Sequence, residues 1–236
     1  MYKIQSSKDI IEKNTESVIE LLELMYKNIS LETNKDFYRT ITTYYSAISI
    51  IIKKLKTDEE STDKIILLDN VLLNFCSLIH CVVLKDIKLI NFIYRNIIES
   101  VIRYIANDFT TRDLEQLFKI LTNYSLHVSS GTDLVRKYGG QLKYIYTKNC
   151  SYVHTDPSKI PTNLVNLTDY QSIDNQDQIS YLKKDFEILN TAIIGLFKVL
   201  YKDKYIDLPI NNKIYIDEIT PLKNRTEYQA FLHDCQ

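Results

Sequence analysis

The feature that most restricts the fold is a pair of apolar segments at the middle of the chain. Residues from Ile65 to about Val83 are densely apolar, and from about Asp86 to Asn107 the residues Ile87, Ile90, Ile93, Tyr94, Ile97, Ile98, Val101, Ile102 and Ile105 recur at spacings of three and four. That period places them along one face of an α-helix. Two such faces in succession predict two long helices packed as an antiparallel pair.

The same period runs through most of the chain. Ser6-Ser7-Lys8-Asp9 offers N-caps for a helix ending near Asn28, and Thr33-Asn34 caps a second in which Phe37, Ile41, Tyr44, Ile48 and Ile52 cover more than one face. The polar stretch Lys56–Asp63 connects it to the central pair. Thr110–Asp113 starts a shorter helix through about Leu126. The helix after it carries Gly139-Gly140 near its start, where two glycines cost about 2 kcal/mol of helix propensity relative to alanine and predict a kink or a break. Residues from about Asp156 to Asp177, with Pro157 and Pro161, have no clean period and read as a surface loop that could serve as a lid. A last long helix spans about Gln178 to Tyr201. Beyond it, Tyr205–Pro209 and Lys213–Asp217 alternate like short extended segments, before a terminal helix from Pro221. The expectation is an all-α protein: a helical bundle of long antiparallel helices over residues 1–204, with a short irregular or extended C-terminal tail over 205–236.

With 29 basic against 30 acidic side chains, the formal net charge is -1, so nothing global draws this chain to nucleic acid or to an anionic membrane. Any RNA contact has to come from a local patch. Cys76, Cys81, Cys150 and Cys235 lack the spacing of a disulfide framework, and the first residues lack the apolar core of a signal peptide. The nearly uncharged stretch Tyr44–Ile52 is far short of the roughly 20 apolar residues of a membrane span. These features read as a soluble, cytoplasmic protein without membrane contact. The 18 tyrosines accompany an abundance of Ile, Lys and Asn, a bias of the kind an AT-rich genome produces, and do not by themselves imply base stacking.

Polar groups capable of chemistry concentrate in two rows. Tyr144, Lys148, Ser151 and His154 share one face of the helix that ends at Pro157, and Arg95, Glu99 and Arg103 form an i, i+4, i+8 row flanked by isoleucines. If the rows face each other they form a polar site inside the bundle. An imidazole titrating near neutrality suits acid-base work, and nearby cations suit a phosphate. Each group also has a structural role open to it: His154 as a helix-end residue bonded to carbonyls, Arg95 and Glu99 as an intrahelical ion pair. Cys76 with His80, and Cys150 with His154, are each one helical turn apart and could together make a Cys2His2 zinc site, although free cysteines are more often simply buried. The basic and aromatic run of Arg136, Lys137, Tyr138, Lys143, Tyr144 and Lys148 could contact RNA or be a solvated face.

Lys148-Asn149-x4-His154, late in a helical domain, resembles the HEPN superfamily motif of arginine, four to six residues, then histidine. Independently, Tyr94-Arg95-Asn96-Ile97-Ile98-Glu99 followed by Tyr146-x4-Ser151-x2-His154 resembles the HEPN-like helical proteins linked to abortive infection and phage defence. The resemblance covers residues 60 to 200. It implies metal-independent cleavage of RNA at a site assembled across a homodimer, with His154 as acid or base, Lys148 and Arg95 as phosphate-binding cations, and Asn149, Ser151, Tyr144 and Glu99 as orienting groups. No cofactor and no metal are invoked. The chain departs from the family where Lys148 stands in place of arginine, which keeps the charge but loses the bidentate fork. The alternative is a non-catalytic helical interaction module, antitoxin-like or structural, with a protein partner and the same polar row serving as a hydrogen-bond network.

Overall fold

The computed structural model describes residues 7–27, 30–111, 113–124, 131–153 and 176–234, and among these it contains ten α-helices and no strand. The helices are α1 (Ser7–Met25), α2 (Lys35–Lys56), α3 (Thr62–Val83), α4 (Ile87–Ala106), α5 (Leu114–Tyr124), α6 (Thr132–Val153), α7 (Gln176–Leu200), α8 (Lys202–Ile206), α9 (Ile210–Ile219) and α10 (Leu222–Asp234). The all-α bundle expected from the sequence is what forms.

Local chemistry sets the joints around the central pair. The Ser61 side chain accepts from the backbone N–H of Lys64 to open α3, and the Asp86 carboxylate accepts from that of Leu89 to open α4. Asn107 closes α4 in the left-handed region at φ 51°, a conformation asparagine tolerates better than most residues. The Asn70 amide donates to the Ser100 hydroxyl at 2.9 Å, tying the middle of α3 to the last third of α4 and fixing the register of this antiparallel pair.

Interhelix contacts give the directions of the rest. Lys183 pairs with Asp36, and Tyr44 Oη lies 3.4 Å from Thr191 Oγ1, so α2 and α7 run parallel. Lys148 meets Asp185 while Tyr138 lies against Gly195, so α6 runs antiparallel to α7. At the centre is Phe186 on α7, fully buried, with the rings of Phe37, Tyr44, Phe75 and Tyr94 around it at centroid distances of 6.0, 6.0, 5.3 and 5.7 Å. Three of these contacts are edge-to-face, a geometry that aligns ring edges with ring faces and adds to the area buried. One side chain thus gathers α2, α3, α4 and α7.

Two expectations are corrected. The Gly139-Gly140 pair neither kinks nor breaks α6, which continues from Thr132 to Val153. Gly139 is buried against α5, and a Cβ there would lie 2.9 Å from Leu121 Cδ2, so the missing side chain lets the two helices approach. The segments expected to be extended after residue 205 are helical. Alternation would bury Ile214 with Ile216 and expose Tyr215, but Tyr215 and Ile216 are both buried and Ile214 is 47% exposed. Helix α9 docks on α2, where the Tyr215 hydroxyl donates to the Thr43 carbonyl at 2.9 Å, and this tertiary contact outweighs the local pattern. The terminal helix expected from Pro221 is present as α10.

The C-terminal helices are held by a buried cation. Lys198 of α7 is 2% exposed, ion-pairs with Asp217 of α9, and lies between the rings of Tyr205 and Tyr228 at 4.8 and 5.1 Å from their centroids. Asp217 also accepts from the Tyr205 hydroxyl at 2.8 Å. Burial lowers the Lys198 pKa, against the opposing pull of Asp217. Helix α3 is the one described helix long and apolar enough to cross a membrane by length and composition; here it packs against α2 and α4.

Candidate functional site

Because α4 and α6 pack against each other, the arginine row and the polar half of α6 come to one seam, and α7 closes it from the other side. The contact between the rows runs through Arg95 and Tyr146. Arg95 Nη2 donates to Tyr146 Oη at 2.9 Å, and its guanidinium carbon lies 4.9 Å from the centroid of the same ring. The ring of Phe118 on α5 backs Tyr146 at 6.0 Å. One turn C-terminal, Asn149 is fully buried, and neither its amide oxygen nor its amide nitrogen has a hydrogen-bond partner among the described residues. A buried amide with both ends unmatched carries a desolvation cost of about 1–3 kcal/mol for each group.

Lys148 turns to α7. Its ammonium donates to both oxygens of Asp185, at 2.9 and 2.7 Å, and the Asp185 side chain is only 7% exposed. On α4, Arg103 donates twice to Glu99 Oε1, from Nε at 2.9 Å and Nη2 at 2.8 Å, so the intrahelical ion pair of this row joins Glu99 to Arg103. Between these groups, Tyr94 is fully buried and its hydroxyl donates to the Leu182 carbonyl at 2.8 Å. Burial raises its pKa well above that of an ordinary phenol.

The expected four-residue face of α6 therefore divides. Tyr144 is 59% exposed at the surface and Lys148 is half-buried against Asp185. Ser151 falls in the last turn of α6, while His154 and the loop expected to cover it lie outside the described residues. Among the residues suggested by the sequence, Arg95 is brought to α6, Asn149 is placed inside the seam, and Glu99 and Arg103 pair with each other. Asp185 was not anticipated. The signal was present, for Asp185 sits three residues after Leu182 and four before Leu189, inside the apolar stripe of α7 where a carboxylate needs a partner.

The zinc arrangement finds little support on its described side. His80 Nδ1 is 3.0 Å from the Tyr26 hydroxyl, Cys76 is exposed, and no group of three His, Cys, Asp or Glu side chains gathers among the described residues. No protein family, curated protein or solved structure matches this chain.

Proposed function

We propose that the chain is a HEPN-like helical protein of a toxin or phage-defence system, acting as a metal-independent ribonuclease at the seam of α4 and α6. The observation that carries this reading is the bond from Arg95 to Tyr146. It joins the two segments on which the resemblance rests, Tyr94–Glu99 and Tyr146–His154, which are far apart in sequence. In this reading Arg95 holds a phosphate, His154 moves the proton, and the buried Asn149 amide orients one of them. A second copy of the chain completes the site.

A specific observation favours a second reading, a non-catalytic interaction module. Lys148, the residue standing where the family has arginine, is held by the buried carboxylate of Asp185, and Glu99 is held by Arg103. Paired groups of this kind serve as a network that fixes helix register.

Wild type, His154→Ala and Arg95→Ala are incubated with total RNA in the presence of a chelator. The nuclease reading expects cleavage by the wild type and at least a hundredfold loss in either variant, in line with the removal of an acid-base group or of an oxyanion-type donor. Cleavage unaffected by both substitutions sinks the assignment. No cleavage by the wild type leaves the module.

A further inference from the structure

Outside that seam, a groove of about 250 Å³ lies between α5 and α6. Its floor exists because of the glycine pair: Gly139 lets α5 approach, and a Cβ on Gly140 would meet nothing within 4 Å. The walls are apolar, from Phe118, Leu121 and Val135, and the charged groups lining it are Lys119, Arg136 and Lys143, with no carboxylate among them. All three cations are exposed. The acidic groups nearby sit outside the lining: Glu115 pairs with Lys143 at 2.7 Å, and Asp133, 99% exposed, is 3.9 Å from Arg136. Pairs this exposed are worth about 0–1 kcal/mol and give way readily to a stronger anion.

We infer that this groove binds a single-stranded RNA segment, with Lys119, Arg136 and Lys143 on successive phosphates and Tyr144 as a stacking platform. The inference rests on the ribonuclease reading and names the surface that would deliver its substrate. Arg136, Gly140 and Lys143 follow one stripe of α6, so the two cations lie about 10 Å apart along the helix axis at 1.5 Å per residue. Tyr144 is 59% exposed immediately beyond Lys143, one turn before Lys148 on the same face of α6. A cationic track with an adjacent exposed ring is the combination by which single strands are held without sequence preference. On a chain of net charge -1, this lining is a local patch of the kind RNA contact would require.

The test uses the full chain and a fluorescein-labelled single-stranded oligouridylate, with binding followed by anisotropy over a range of salt. Lys119→Gln/Arg136→Gln/Lys143→Gln is expected to weaken binding by at least about tenfold and to flatten the slope of log K against log salt by about 2, since each phosphate contact to a single strand contributes about 0.7. Gly140→Glu places a carboxylate over the open floor without a clash, so it keeps the fold and is expected to weaken binding comparably. Circular dichroism matching the wild type establishes that both variants are folded. Unchanged affinity and salt slope in both variants, or no binding by the wild type, overturns the inference. So does an RNA duplex or a polyglutamate peptide that binds as tightly as the oligouridylate. Cleavage is read separately: a chain that binds through the groove and leaves the RNA intact overturns the ribonuclease reading and leaves the groove standing, whereas cleavage with affinity unchanged in the variants does the reverse.

Discussion

The three described glycines of α6 and α7 make the packing of the bundle testable by one substitution, glycine to alanine, with three different outcomes. At Gly195 an added Cβ would lie 2.6 Å from Cε1 of the Tyr138 ring and closer still to Cε2 and Cζ. Carbon atoms in contact sit about 3.5–4.0 Å apart, so either the ring or the helix has to move by about an ångström. Tyr138 is 2% exposed, which leaves the ring no open direction. Helix propensity favours the alanine by about 1 kcal/mol, while overpacking a closed core costs about 1–3 kcal/mol and occasionally more. Gly195→Ala is therefore expected to destabilise by up to about 2 kcal/mol, a fall in Tm of up to about 8 °C for a chain of this length. At Gly140, where nothing lies within 4 Å, the propensity term acts alone and Gly140→Ala should stabilise by about 1 kcal/mol. Gly139→Ala falls between, because its neighbour is the flexible end of Leu121. Urea denaturation of the three variants orders them. In Tyr138→Leu the Gly195→Ala penalty should shrink by at least about 1 kcal/mol, the signature of a contact pair. A Gly195→Ala protein as stable as Gly140→Ala would mean that α6 and α7 do not approach as described.

At the α6–α7 contact, Lys148→Met strands the Asp185 carboxylate, and is expected to cost about 2 kcal/mol, lowered from the fully buried case because Lys148 remains a third exposed; Lys148→Met/Asp185→Asn should be more stable than Lys148→Met alone, and a double variant that is worse would refute the pairing. Asp217→Asn leaves the Lys198 ammonium buried without its carboxylate and is expected to cost about 3 kcal/mol, more than Lys198→Met, whose apolar stem fits between the two tyrosines; thermal melts that rank the two the other way refute it. In alkali, burial raises the pKa of Tyr38, Tyr104 and Tyr138 to about 12, and raises those of Tyr44, Tyr94, Tyr205 and Tyr215 as well. A raised folded-state pKa means the folded chain keeps protons that the unfolded chain releases, so this stability is fully present below about pH 10 and is lost as the pH rises through about 12. Lys198, lowered by burial, acts in the opposite direction as the pH approaches the ordinary lysine value. The buried tyrosines should ionise only together with loss of helical circular dichroism, and tyrosinate absorbance that reaches the full amplitude of all 18 tyrosines with the helices intact would contradict their burial.

Much of the bundle was legible because its helices carry their own period. Ile90, Tyr94, Ile97 and Ile98 are each fully buried on the face that their spacing defines. The tail was misread because Tyr215 is placed by its contact with α2, a residue 172 positions away, and nothing near Tyr215 in the sequence encodes that contact. Gly139 was misread for a similar reason: its helix cost is local and visible, whereas the space it leaves for Leu121 is tertiary. Of the candidate site, the sequence identified Arg95 and the polar half of α6 as neighbours, since each is a polar interruption in an apolar helix. It did not pair Lys148 with Asp185, because a salt bridge between α6 and α7 depends on rotation of both helices about their axes.

The buried ammonium of Lys198 also has a bearing on the order in which the chain can mature. Its counter-charge, Asp217, lies 19 residues further on, so while the protein is being synthesised α7 emerges with a lysine facing the core before the group that neutralises it exists. Until α9 arrives, that end of α7 is better left in water than packed. Helix α9 would then act as a latch, and docking of that end of α7 waits until Asp217 has been made.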